Sequence, residues 1–253
     1  MYFDSHAHYD DERFNEDRQE LLLKLHKQQK VEGIINAAAD IQSARASIEL
    51  AKTFDFVYAA VGVHPHEVEK LKEEDLQVIE ELAAFDKVVA IGEIGLDYYY
   101  DFSPREVQRK WFMKQLLLAK KLDLPVIIHS REASQETFDL IMESGVSKGV
   151  IHCFSGSKEL AKEYIKRGFY IGVGGSLTFK NARKTVEVVK EIPLEFLLIE
   201  TDAPYLTPVP NRGKRNDSSQ LEYVVRKISE IKGVEEAEVS KMTLKNVKKL
   251  FNL

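Results

Sequence analysis

The chain has 253 residues, 44% of them hydrophobic and 30% charged, with a net charge of −5. This length suffices for a large core, the acidic balance argues against a broad nucleic-acid-coating surface, and no apolar stretch approaches the roughly 18 residues of a membrane span. The single cysteine, Cys153, excludes an internal disulfide, and no basic segment followed by a long apolar one opens the chain, so a cytoplasmic protein is expected.

The first apolar run, Met1-Tyr2-Phe3-Asp4-Ser5-His6-Ala7-His8, ends in two histidines. Residues two apart on a strand point to one side, so the two imidazoles project together. Alone, such a pair is equally compatible with half a metal site or with a surface turn. Short β-branched runs follow at Val31–Asn36, Val57–Val63, Val88–Ile94, Pro125–His129, Gly149–Cys153, Phe169–Val173 and Phe196–Ile199. Near-continuous apolar runs of this length suit buried parallel strands. Amphipathic helices lie between them, with helical spacing in Val107, Trp111, Leu118 and Leu122, and again in Leu160, Ala161, Tyr164 and Ile165. Ser103-Pro104-Arg105-Glu106 predicts a helix start with a serine cap, proline at the first helical position and a capping-box glutamate. Gly168 is placed to stop the helix that precedes the next strand.

Eight strand-then-helix units at about 30 residues each predict an α/β chain forming a single (β/α)8 TIM barrel over residues 1–253. The competing doubly wound sheet normally carries a glycine-rich loop after its first strand, where this chain has His6-Ala7-His8. Barrel active sites sit at the C-terminal strand ends. Six of the seven histidines fall there: His6, His8, His64, His66, His129 and His152. His26 lies in a polar helical stretch and is expected to be exposed. Cys153 is expected to be inert in an apolar strand. Glu93 lies between Gly92 and Ile94 on a central strand, where an unpaired carboxylate is costly and a metal partner removes the cost.

The pattern resembles the TatD family of metal-dependent deoxyribonucleases, within the wider amidohydrolase-like barrels. The resemblance is carried by Asp4-Ser5-His6-Ala7-His8, Gly62-Val63-His64-Pro65-His66, Gly92-Glu93-Ile94-Gly95-Leu96-Asp97, His129-Ser130-Arg131, His152-Cys153-Phe154-Ser155-Gly156 and Glu200-Thr201-Asp202-Ala203-Pro204-Tyr205-Leu206. The C-terminal stretch from Thr243-Leu244-Lys245-Asn246 through Leu250-Phe251 adds to it, so the resemblance spans essentially the whole chain. The Glu93 and Glu200–Leu206 blocks are its most specific parts.

The resemblance implies two divalent metal ions. His6, His8, Glu93 and Asp202 would hold one, and His129 and His152 the other, with Glu93 bridging. Many related barrels bridge with a carboxylated lysine, and the strand-four end here offers Glu93 and no lysine. Imidazole and carboxylate ligands together suit Zn, Mn, Fe or Ni, and Mg or Ca more weakly. Such a site can hydrolyse a phosphodiester, with Asp202 orienting the attacking water and taking its proton. His64 is expected to touch substrate or to support a metal ligand from behind, against a purely structural role, His66 to make loop contacts, and Glu200 to hydrogen-bond a ligand histidine. Arg131, Tyr205, Arg212, Lys214 and Arg215 are the candidate substrate contacts, with a solvated loop as the competing reading for Lys214 and Arg215. Tyr98-Tyr99-Tyr100 and Phe154 are suited to stack on a base or to pack across the barrel mouth. The expected activity is 3'-5' exonuclease-like cleavage of DNA ends or single strands. A metallohydrolase of lactones, esters, amides or aminoacyl-tRNA stays open, as does a non-enzymatic metal scaffold. The expected partner is DNA, with no membrane and no obligate protein partner.

Overall fold

The computed structural model describes residues 1–28 and 30–253. Its strands are β1 (Tyr2–Ala7), β2 (Val31–Ala37), β3 (Val57–Val61), β4 (Val88–Asp97), β5 (Val126–Arg131), β6 (Gly149–Ile151), β7 (Phe169–Val173) and β8 (Leu197–Ile199). They form one sheet in chain order, every neighbouring pair parallel. The helices are α1 (Arg18–Gln28), α2 (Ile41–Thr53), α3 (Asp75–Ala83), α4 (Arg105–Leu122), α5 (Ser134–Ser144), α6 (Lys158–Ile165), α7 (Arg183–Glu191), α8 (Leu221–Lys232) and α9 (Glu236–Phe251). This is a (β/α)8 barrel, as the repeated strand-helix pattern predicts. Among the described residues no helix is long and apolar enough to cross a membrane.

Side chains staple the seam where β8 meets β1. The backbone contributes His8 N–H to Ala203 O (2.7 Å) and Asp202 N–H to His6 O (3.0 Å). Ser5 Oγ donates to Ile199 O, and the buried Asp4 carboxylate accepts from Thr201 N–H (3.0 Å), Thr201 Oγ1 (2.6 Å) and Ser218 Oγ (2.6 Å). Asp4 and Ser5 therefore hold the ends of β1 and β8 in a fixed relation, which matters because both strands carry site residues.

The barrel interior is layered by the two-residue period of its strands. Phe3, Ile35, Ala60, Val89, Ile127, Val150, Tyr170 and Leu198 form an apolar cluster with Val247, Leu250 and Phe251 of α9. Two residues beyond Ile127, Val150 and Leu198 stand His129, His152 and Glu200. The same alternation that fills the core thus lifts a polar layer to the C-terminal rim.

The structure departs from local expectation in several places. α4 starts at Arg105 with Pro104 outside it and no side-chain cap. Ser103 is instead buried, its hydroxyl donating to His66 O (3.0 Å) and accepting from Glu69 N–H (3.2 Å), because the loop after β3 has backbone groups to satisfy there. β3 ends at Val61 and β6 at Ile151, so His152 and Cys153 lie past the strand, and Cys153 takes a left-handed φ of 42°. β4 and β5 run on to Asp97 and Arg131. Gly168 is left-handed after α6, as expected, and His26 is exposed.

Candidate metal centre

β1 delivers His6 and His8 with their Nε2 atoms 3.1 Å apart. His8 Nδ1 lies 2.8 Å from Ala37 O. A carbonyl only accepts, so Nδ1 carries a proton, and loss of the Nε2 proton would turn the Nε2 lone pair toward the centre. Glu93 Oε2 lies 3.3 Å from His6 Nε2 and 3.7 Å from His8 Nε2. Asp202 Oδ1 lies 3.7 and 3.4 Å from the same two nitrogens. A tetrahedron with ligands about 2.0–2.1 Å from its centre has edges of about 3.3 Å, so this donor set fits one divalent ion. Asp202 occupies a left-handed conformation (φ 58°), and such strained positions concentrate at functional sites.

The other Glu93 oxygen serves a second group. Oε1 lies 2.9 Å from His129 Nδ1, 3.6 Å from His152 Nε2 and 3.8 Å from His64 Nε2. His129 Nε2 meets Asp97 Oδ2 at 3.0 Å, and His66 Nε2 meets the same oxygen at 2.9 Å. His152 Nδ1 is 3.1 Å from Glu200 Oε1, close enough to pair but not aligned as a hydrogen bond. Two glycines make these approaches feasible. A Cβ on Gly95 would lie 1.9 Å from His129 O, and one on Gly172 would lie 2.6 Å from Glu200 Oε2.

The electrostatics suit a cation. Burial pushes the Glu93 carboxyl up, but His6, His152, His64 and His129 more than offset it and hold it well below the usual range. Burial also opposes charge on Asp202, and the His8 hydrogen bond with the nearby imidazoles nevertheless lowers it. Burial alone would lower His8 and His152. Asp202 and Glu93 instead raise His8 to about 9, and Glu200 and Glu93 raise His152 to about 10. His64 is pushed well down by burial and by His129 beside it.

The six expected ligands, His6, His8, Glu93, His129, His152 and Asp202, are thus brought together, with His64 beside the second group. Arg131 stands at the rim, its guanidinium over the rings of Tyr99 (4.1 Å) and Tyr100 (4.7 Å). Arg131, Cys153, Phe154, Phe179 and Asp202 line a cavity of about 430 Å³ beside the His129–His152 side. Arg212 sits over the ring of Phe179 at 3.7 Å, and Lys214 is exposed in the same loop. Arg215 is engaged elsewhere: it pairs with Asp17 and donates to Arg13 O. The Tyr205 ring is covered by Arg13 at 4.1 Å, and its hydroxyl bonds Asp11. Tyr98 donates to Glu136 and packs against the core. Two residues of the sequence blocks have roles that the motifs did not assign. Asp97 bridges two histidines, and Asp4 closes the seam. The two-residue period from Glu93 through Gly95 to Asp97 was the available signal for the first.

The profile of a family described as "TatD related DNase" matches residues 3–252. This chain belongs to the TatD family. An uncharacterized metal-dependent hydrolase of Bacillus subtilis, YabD, is 46% identical, covering 100% of both chains. A protein of Shigella flexneri named 3'-5' ssDNA/RNA exonuclease TatD is 34% identical, covering 99% of each. The crystal structure of YjjV, a TatD homologue from Escherichia coli, superposes with a TM-score of 0.93 at 36% identity, over 100% of this chain and 98% of that one. Membership makes the protein a metal-dependent hydrolase, consistent with the donor set.

Proposed function

We propose that this TatD-family hydrolase cleaves phosphodiester bonds at the ends of single-stranded nucleic acid, in the manner of a 3'-5' exonuclease, with two divalent ions. The observation that carries the reading is the division of Glu93. One carboxylate oxygen faces His6 and His8, and the other faces His129, His152 and His64. A carboxylate aimed in two directions at separate imidazole groups is the donor arrangement for a bridging ligand. The exonuclease activity named for the Shigella relative adds support for the substrate class.

His6, His8, Glu93 and Asp202 would hold one ion, and His129, His152 and Glu93 the other. Two such ions, when bound, supply Lewis-acid activation of water and neutralise charge on the phosphate. Asp202 is the most exposed carboxylate of the group, its side chain 17% accessible. It orients the attacking water and receives its proton at a carboxylate oxygen. His64 stays neutral at ordinary pH, so it hydrogen-bonds a substrate oxygen without adding charge. Arg131 and Arg212 flank the cavity and meet backbone phosphates.

The test is to incubate protein loaded with Mn or Zn with single-stranded DNA, RNA, duplex DNA and a lactone and ester panel. Nucleotide release from single-stranded ends is expected. Turnover of a lactone or ester with no phosphodiester cleavage would overturn the reading.

A further inference from the structure

The loop after β4 exposes three aromatic rings at the rim. Tyr99, Tyr100 and Phe102 are 60%, 48% and 65% accessible, a surface that costs solubility if it has no use. They are ordered against one another. Tyr100 and Phe102 stack with centroids 5.4 Å apart and planes 24° apart, and Tyr99 meets Tyr100 edge-on at 5.0 Å. The set is joined to the metal centre through His66, which packs edge-on against Tyr100 (5.3 Å) and Phe102 (4.8 Å). Asp97 fixes the join: Oδ1 accepts the N–H groups of Tyr99 and Tyr100 (3.0 and 2.9 Å), while Oδ2 holds His66 and His129. Arg131 lies against Tyr99 and Tyr100, and ring-face contact leaves guanidinium donors for a phosphate.

We propose that Tyr99, Tyr100 and Phe102 form a stacking shelf for an unpaired base of the substrate, with Arg131 meeting the adjoining phosphate. The proposal rests on the nucleic-acid reading above and adds the feature that selects single strands. Ring faces accept any base, so the shelf is sequence-tolerant. It lies beside the reaction centre, so a base that reaches it must leave its neighbour. That separation is costly in a duplex and nearly free in a single strand.

Fluorescence anisotropy of the Mn-loaded protein tests it, with a labelled single strand made resistant by phosphorothioate linkages and the same backbone carrying abasic terminal positions. The wild type should bind the base-bearing strand about tenfold more tightly than the abasic one. Y100A/F102A should lose that preference, and so should Phe102→Leu, which keeps apolar bulk without a π face. Phe102→Tyr should retain it, as should Phe85→Ala, an exposed aromatic change outside this loop. Equal binding of both strands by the wild type, or an unchanged preference in Y100A/F102A, would overturn the shelf. Hydrolysis of methyl p-nitrophenyl phosphate by the wild type reports the phosphodiester chemistry separately. Absence of that turnover overturns the reaction, and the shelf is still decided by the two binding constants.

Discussion

Asp97 Oδ2 lies 3.0 Å from His129 Nε2, on the edge of the imidazole opposite the one that meets Glu93. The histidine is therefore held between two carboxylates. With Nε2–H toward Asp97, the Nδ1 lone pair would be left for an ion held with Glu93. Asp97 is buried and its carboxyl stays well below the usual range despite that burial, because His129, His66 and the Tyr100 N–H stabilise the charge. Asp97→Asn keeps the size and removes the charge. Under the proposed two-ion arrangement it should weaken the ion on His129 by about 10–100-fold and leave the other nearly unchanged, as measured by competitive metal titration. Equal weakening of both would mean that Asp97 supports the fold rather than His129.

The acid–base balance gives a signed pH prediction. In the metal-free protein His8 and His152 titrate at about 9 and about 10, above the ordinary histidine value. Their charged pairs stabilise the apo fold fully below about pH 6.5 and fade as pH rises through those values. A metal ion requires neutral imidazoles, so its affinity runs the other way and loading releases protons. The Tm gain on adding Mn or Zn should be larger at about pH 8 than at about pH 6. An equal gain at both would contradict the coupling.

The seam between β1 and β8 depends on one buried carboxylate. Asp4→Ala leaves Thr201 N–H and the Thr201 hydroxyl without their acceptor and takes from the Ser218 hydroxyl its carboxylate partner. It should cost roughly 2–4 kcal/mol of stability in denaturant titration. Asp4→Asn keeps one carbonyl acceptor and should cost less. If Asp4→Ala unfolds at the wild-type midpoint, the seam is held by its backbone bonds alone.

The rim cations separate into two kinds. Arg212 lies over Phe179, which lines the cavity, and Lys214 is exposed in the same loop, whereas Arg215 is tied to Asp17. Arg212→Ala with Lys214→Ala should raise the apparent KM for single-stranded DNA. It should also flatten the salt dependence by about 0.7 for each phosphate that is no longer neutralised. Arg215→Ala should leave the salt slope unchanged and cost at most about 1 kcal/mol of stability. A slope change from Arg215→Ala alone would move that residue into the substrate path.

Most of the fold was legible because one period governs it. Buried parallel strands leave continuous apolar runs, and the histidines at their ends mark the rim. The donor cluster was legible for the same reason, since a strand end fixes where His129 or His152 must point. What escaped depends on contacts between distant segments. Ser103 reads locally as a cap, but burial beside the His66 backbone gives its hydroxyl other partners. Arg215 reads as a free rim cation, but Asp17 lies far away in sequence and near in space. Asp97 and Asp4 sat inside recognisable blocks, yet their roles need the partner strand to be seen.

The bridging role proposed for Glu93 is decided by metal content after loading and desalting, measured by elemental analysis on the wild type and on Glu93→Ala. Two divalent ions per wild-type chain are expected, and loss of both, with loss of activity, in the variant. Saturation of the wild type at one ion, or a Glu93→Ala protein that keeps both ions, would contradict the bridge.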